Sequence, residues 1–167
     1  EQRLDETHHL IEQLLSVTSQ DYSLSLLSEP QVPSKLAETL HHATSLGMSQ
    51  LALCLTDSVT QVCDALGPDH PDTLASRNCL AGAYRDAGRL DKAIALYEQT
   101  LEDSIRVLGT DHPETLTSRH SLASAYRDAG RLDEAIPLYK ENLEEFTRLA
   151  GPDHPHTLSA RNQLASI

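Results

Sequence analysis

Three kinds of side chain recur in this sequence at a fixed interval. Asn78, Gly82 and Arg85 reappear 42 positions on as His120, Ser124 and Arg127, and Asn162 opens a third set. Within a set, steps of four and three residues put the members on one side of a helix. An asparagine both donates and accepts, which suits the backbone of an extended peptide, while an arginine forks onto a carboxylate. Gly82 and Ser124 are small and leave space between the larger groups. The chemistry on offer is therefore recognition. Arg85 and Arg127 are each followed by an aspartate, Asp86 and Asp128, so pairing on a solvated surface is the competing reading of the two arginines.

Reaction chemistry has no comparable signal. The sequence lacks a G-x-S-x-G elbow, a G-x-x-x-x-G-K phosphate loop and an H-E-x-x-H helix, and its carboxylates fall at helix starts and exposed helical positions, where the helix dipole or water accounts for them. It reads as a non-enzyme with no cofactor. Cys54, Cys63 and Cys79 form no C-x-x-C pair, and an odd number makes no disulfide framework; they read as small apolar residues in a reducing compartment. Among the nine histidines, His70, His112 and His154 recur once per period, too far apart for one metal to bridge at about 2 Å ligand distances. They are expected to pack against the preceding helix or to bond to backbone. His8-His9 and His41-His42 are neighbours that point in different directions on a helix, so no metal site is expected.

The interval that relates these residues runs through the text around them. From Gly67 the chain reads GPDHPDTLASRNCLAGAYRDAGRLDKAIALYEQTLEDSIRVL, from Gly109 it begins again, and from Gly151 a third copy runs to Ile167. A period between about 20 and 50 residues marks a solenoid whose units bury their apolar faces against their neighbours. Each copy reads as two helices. Gly67, Gly109 and Gly151 sit where a helix ends, in the left-handed conformation that glycine accepts. Asp69 and Asp111 are expected to cap the helix that follows, with Pro71 and Pro113 in its first turn and an acid three residues after the cap; His156 replaces that acid in the third copy. Leu74, Leu80, Ala81 and Tyr84 form the buried side of the first helix, Asp-Ala-Gly-Arg makes a turn, and Leu90, Ala93, Ile94, Tyr97 and Leu101 form that of the second. Pro137, in place of Ala95, predicts a helix that starts late or bends.

The pattern Leu-Ala-x-x-Tyr, a turn at Gly, then Leu-x-x-Ala-Ile-x-x-Tyr resembles the tetratricopeptide repeat, and the Gly-x-Asp-His-Pro-x-Thr-Leu linker with its 42-residue period resembles the subtype found in kinesin light chains and many bacterial repeat proteins. The resemblance implies an all-α, right-handed superhelical solenoid of antiparallel helix pairs, with the first helix of each pair lining a concave groove. On that reading Asn78, Gly82, Arg85, His120, Ser124, Arg127 and Asn162 face the groove and grip a short peptide. It also implies a second functional class, since similar bacterial arrays often follow a signalling ATPase or a transcription-factor module and regulate it.

The organisation follows the register. Residues 67–108 and 109–150 are full repeats, 151–167 is a partial repeat or capping helix, and 34–66 is a degenerate repeat with helices over Ser34 to Leu46 and 48–66. Residues 1–33, bounded by Pro30 and Pro33, are an N-terminal helical cap or the tail of a missing domain. The chain opens without methionine and stops inside a repeat, as a piece of a longer protein would. No apolar run approaches the roughly 20 residues that cross a membrane, and no leader opens the chain, so a cytoplasmic setting is expected. A net charge of −12 argues against nucleic acid. The partner expected is a protein or peptide, acidic or with a free C-terminal carboxylate. Self-association through the terminal half-repeat is expected too, because Leu158, Leu164 and Ile167 have no second helix over them.

Overall fold

Each helix begins and ends where the sequence supplies the backbone with partners. The computed structural model describes Leu53 and residues 56–167, and among them are six helices: α1 (Thr56–Leu66), α2 (Pro71–Asp86), α3 (Leu90–Leu108), α4 (Pro113–Asp128), α5 (Leu132–Ala150) and α6 (Pro155–Ala165). Helix α1 falls within the helix expected over 48–66. The expected helix over 34–46 and the whole of 1–33 lie outside the described residues.

The helix starts correct one expectation. The N-caps of α2 and α4 are His70 and His112, not the aspartates before them, and each imidazole Nδ1 accepts from the backbone N–H two residues on, that of Asp72 or Glu114, at 3.2 Å. The following proline then occupies the first helical position, where its missing N–H is no loss. His70 and His112 thus have the backbone role expected of the recurring histidines. Asp111 is released to bind Arg148 at 2.6 Å, and this bond holds its carboxyl below the usual carboxylate range.

Gly109 and Gly151 end α3 and α5 with φ 90° and ψ 166–167°. That is the mirror of the extended region, open almost only to glycine, rather than the left-handed helical conformation expected. The left-handed turn is made instead at Gly130, with φ 74°. There Gly130 N–H donates to Arg127 C=O and Arg131 N–H to Tyr126 C=O, both at 2.9 Å, the paired bonds that close a helix and reverse the chain.

Two compact units divide the chain, Glu1–Gly88 and Arg89–Ile167. In the first, α1 packs on α2, and Val59, Cys63, Leu74, Leu80, Ala81 and Ala83 are buried. In the second, α3 packs on α4, α4 on α5 and α5 on α6. Ala93, Ala123, Ala125 and Ala135 are fully buried, and such small side chains let helix backbones approach closely. Bonds across α4 and α5 pair Ser124 with Tyr139 and Arg119 with Asn142, so the sequence runs in opposite directions and the pair is antiparallel.

That interface contains polar groups as well as alanines. Asn142, fully buried, donates to Leu116 C=O at 3.0 Å and accepts from Arg119 Nη1 at 3.3 Å. Arg119, only 4% exposed, also meets the Glu141 carboxylate at 3.5 Å. A buried guanidinium is tolerated when its donors are satisfied this way. Arg119 belongs to the periodic arginines, yet it locks two helices and presents no charge to solvent. Of the two outcomes expected at Pro137, a late start is not what occurs: α5 starts at Leu132, in register with α3 at Leu90, and carries the proline inside it.

Candidate functional site

Of the α4 residues that are not buried, Thr117 is exposed and His120 and Arg127 are half-buried. Arg127 is half-buried, and its Nη2 meets Asp128 Oδ1 at 3.2 Å; Arg85 repeats this in its own unit with Asp86 at 3.4 Å. The surface pairing weighed from the sequence is therefore what both arginines do in the free chain. Such half-exposed pairs are worth about 0–1 kcal/mol, so a ligand carboxylate with better geometry can displace the aspartate.

Ser124 is buried, and its hydroxyl and that of Tyr139 share a hydrogen bond of 2.9 Å. It satisfies a core phenol, and what it offers a ligand is its small size. Asn78 is half-buried with its side-chain oxygen buried and unbonded. Gly82 is half-buried and Asn162 is exposed on α6. Within the second unit, the residue that α6 brings to His120 is Gln163, the neighbour of Asn162.

His120, Gln163 and their surroundings make a cavity of about 140 Å³. Leu116, Thr117 and His120 come from α4, Phe146 from α5, and Ser159, Ala160 and Gln163 from α6. The amide nitrogen of Gln163 lies 3.3 Å from His120 Nε2. With that nitrogen as donor, His120 accepts at Nε2 and carries its proton on Nδ1. The ring is also held edge-on by Tyr139, with centroids 5.7 Å apart. Phe146 and Gln163 were missed from the sequence. Their signal was a departure from the repeat: Ser104 and Ser121 stand at the corresponding positions one period earlier.

At the far end of α4, Tyr126 donates to Glu98 of α3, and the Arg131 guanidinium sits 4.6 Å from the centre of its ring. Burial, reinforced by the Glu98 bond, pushes the Tyr126 hydroxyl up to about 12. Cys63 is buried and Cys79 half-buried, both as free thiols; burial raises both, Cys79 to about 11. Among the described residues no group of three His, Cys, Asp or Glu side chains could hold a metal ion, and no helix is long and apolar enough to cross a membrane.

Short-turn helix pairs repeated in register, small residues at their crossings and a mixed polar face on the first helix define an all-α tandem-repeat protein of the kind that binds other proteins. The tetratricopeptide repeat profile matches residues 44–102, 72–141 and 120–167, and the chain belongs to that family. No curated protein sequence matches it. Among solved structures, the nearly identical TPR-like repeats of a Podosopora anserina protein described as a kinesin light chain superpose with a TM-score of 0.75 at 28% identity, over 83% of this chain and 66% of that one. A single-substitution variant of the same repeats gives a TM-score of 0.75 and 28% identity over 97% and 76%. BtubC (BKLC) from P. vanneervenii shares the fold, with a TM-score of 0.70 at 22% identity over 94% of this chain and 65% of that one. The chain thus spans about two thirds of the first and third of these proteins.

Proposed function

We propose that this chain binds an extended segment of another protein along α4 and α6; Asn78, Gly82 and Arg85 hold the same repeat positions on α2, within the first unit. Arrays of this family are protein-interaction modules, and the finer reading rests on one observation. On α4 the residues between the buried positions are uncharged or basic, Thr117, His120 and Arg127, in a chain whose net charge is −12. Between its first turn, which carries Glu114, and its last residue, Asp128, which is paired to Arg127, α4 has no acid in an otherwise acidic molecule.

The segment runs with its backbone amides against the carboxamides and an acidic side chain or C-terminal carboxylate on Arg127. A screen of immobilised peptide libraries against the wild type and Arg127→Glu checks this. Peptides selected by the wild type should carry a carboxylate, and the variant should lose about 10-fold or more in affinity for them, as expected for a charge-assisted bond of 1.5–3 kcal/mol. Identical selections and equal affinities would reduce Arg127 to surface charge.

A further inference from the structure

Three residues that depart from their counterparts one period earlier, one on each of α4, α5 and α6, line one cavity. His120 takes the register place of Asn78, Phe146 that of Ser104 and Gln163 that of Ser121. Three larger side chains surround a space of about 140 Å³ without filling it. Repeats that only stack have no need of this, because poorly filled space beside apolar walls forgoes packing energy.

Gln163 supplies a second, independent sign. Its nitrogen is bonded to His120, whereas its oxygen is buried with no hydrogen-bond partner. An orphaned acceptor is a standing cost that a donor brought into the cavity removes. The terminal torsion of a glutamine is broad, so the carboxamide can turn its oxygen toward the cavity, exchanging the 3.3 Å contact of its nitrogen with His120 for a bond from the ligand's donor.

We propose that this cavity is a subsite for an uncharged ring of about phenol size that carries one hydrogen-bond donor. The volume sets the size, since a cavity of roughly 150 Å³ holds benzene. Leu116, Phe146 and Ala160 pack the faces of the ring, and the Phe146 and His120 rings offer the edge-to-face contacts that aromatic pairs prefer. None of the lining residues carries a carboxylate, ammonium or guanidinium, so an ionised ligand would lose water without gaining a counter-charge. The donor goes to Gln163 Oε1. The source of the ring, a side chain of the bound protein segment, rests on the function proposed above; the subsite itself does not.

Free fragments test the cavity separately from the peptide. p-Cresol, toluene and p-toluate are titrated into the full chain and followed by amide chemical shifts, with circular dichroism confirming the fold of each variant. p-Cresol should move the amides of Leu116, His120, Ala160 and Gln163 and bind about fivefold more tightly than toluene, the factor that one net hydrogen bond contributes. p-Toluate should leave those amides in place. In Gln163→Leu and Gln163→Met the preference for p-cresol should vanish while both neutral rings still bind. Equal binding of p-cresol and toluene by the wild type, a preference that survives both substitutions, or shifts mapping elsewhere would overturn the subsite. Any of these results leaves peptide binding through Arg127 standing, and loss of Arg127 dependence leaves the fragment result standing.

Discussion

Single side chains here are tuned more by what they cover than by what they bear. Tyr126 is the clearest case, since its hydroxyl is engaged by Glu98 and its ring by Arg131, and its ionisation is pushed up to about 12. An unfolded tyrosine ionises near 10. Between these values the folded chain retains a proton that the unfolded chain has lost, so stability falls as pH rises through the interval and is fully present below it. Chemical denaturation at pH 9 and pH 11.5 should show a loss of stability that is specific to this residue. Tyr126→Phe, less stable at pH 9, should lack that part of the alkaline fall; an identical pH dependence in the two proteins would contradict the assignment. The same scale shows why the candidate site residues were only partly legible. Arg85 and Arg127, picked out by a four-and-three spacing, lie at half-exposed positions, but that spacing could not reveal that Ser124 would be taken by Tyr139 or that Arg119 would turn inward to Asn142. Those outcomes depend on α5, and a periodicity within one helix carries no information about what its neighbour demands.

Helices were legible almost to their ends, because the repeat states each one twice. The four helices α2 to α5 begin and end where prolines, glycines and the Asp-Ala-Gly-Arg turn placed them, and the failures were at caps, where one atom decides. His70 and His112 displaced the aspartates because the proline fixes the first helical position and only the residue before it can reach back to the next free N–H. The site was less legible for the converse reason. Phe146 and Gln163 matter through their difference from Ser104 and Ser121, and a reading that sought identity between repeats passed over them. Pro137 belongs to this scale too. It lies on an exposed part of α5, where residue 137 has no N–H to offer Asp133 C=O and the ring crowds that carbonyl. Since α5 keeps the bounds of α3 regardless, the cost is carried inside the helix. Pro137→Ala should raise unfolding stability by about 1–3 kcal/mol, measurable as an upward shift of the denaturant midpoint at unchanged slope. An unchanged or lowered midpoint would show that the helix has absorbed the proline elsewhere.

At the scale of the whole molecule, a repeat fold hands each unit's apolar face to the next, and what an outer helix leaves uncovered is a property of the array rather than of any residue. Helix α6 packs on α5 through Ala160 and Thr157, both buried, while Leu158 on α6 and Leu149 on α5 remain 41% and 49% exposed. Leu164 and Ile167 are half-buried. Apolar side chains grouped in this way associate when concentration allows, because burying them removes area from water at about 25 cal/mol per Å². The high net charge opposes that association at long range and salt screens the opposition. A weak self-association of this chain in the roughly millimolar range is therefore expected, strengthening as salt is added. Multi-angle light scattering and sedimentation equilibrium across that range provide the measurement, with Leu158→Glu as the control that should restore the monomer without loss of helical signal. A monomer at every concentration and salt level, or association untouched by Leu158→Glu, would place the contact elsewhere and leave these leucines as ordinary exposed apolar surface.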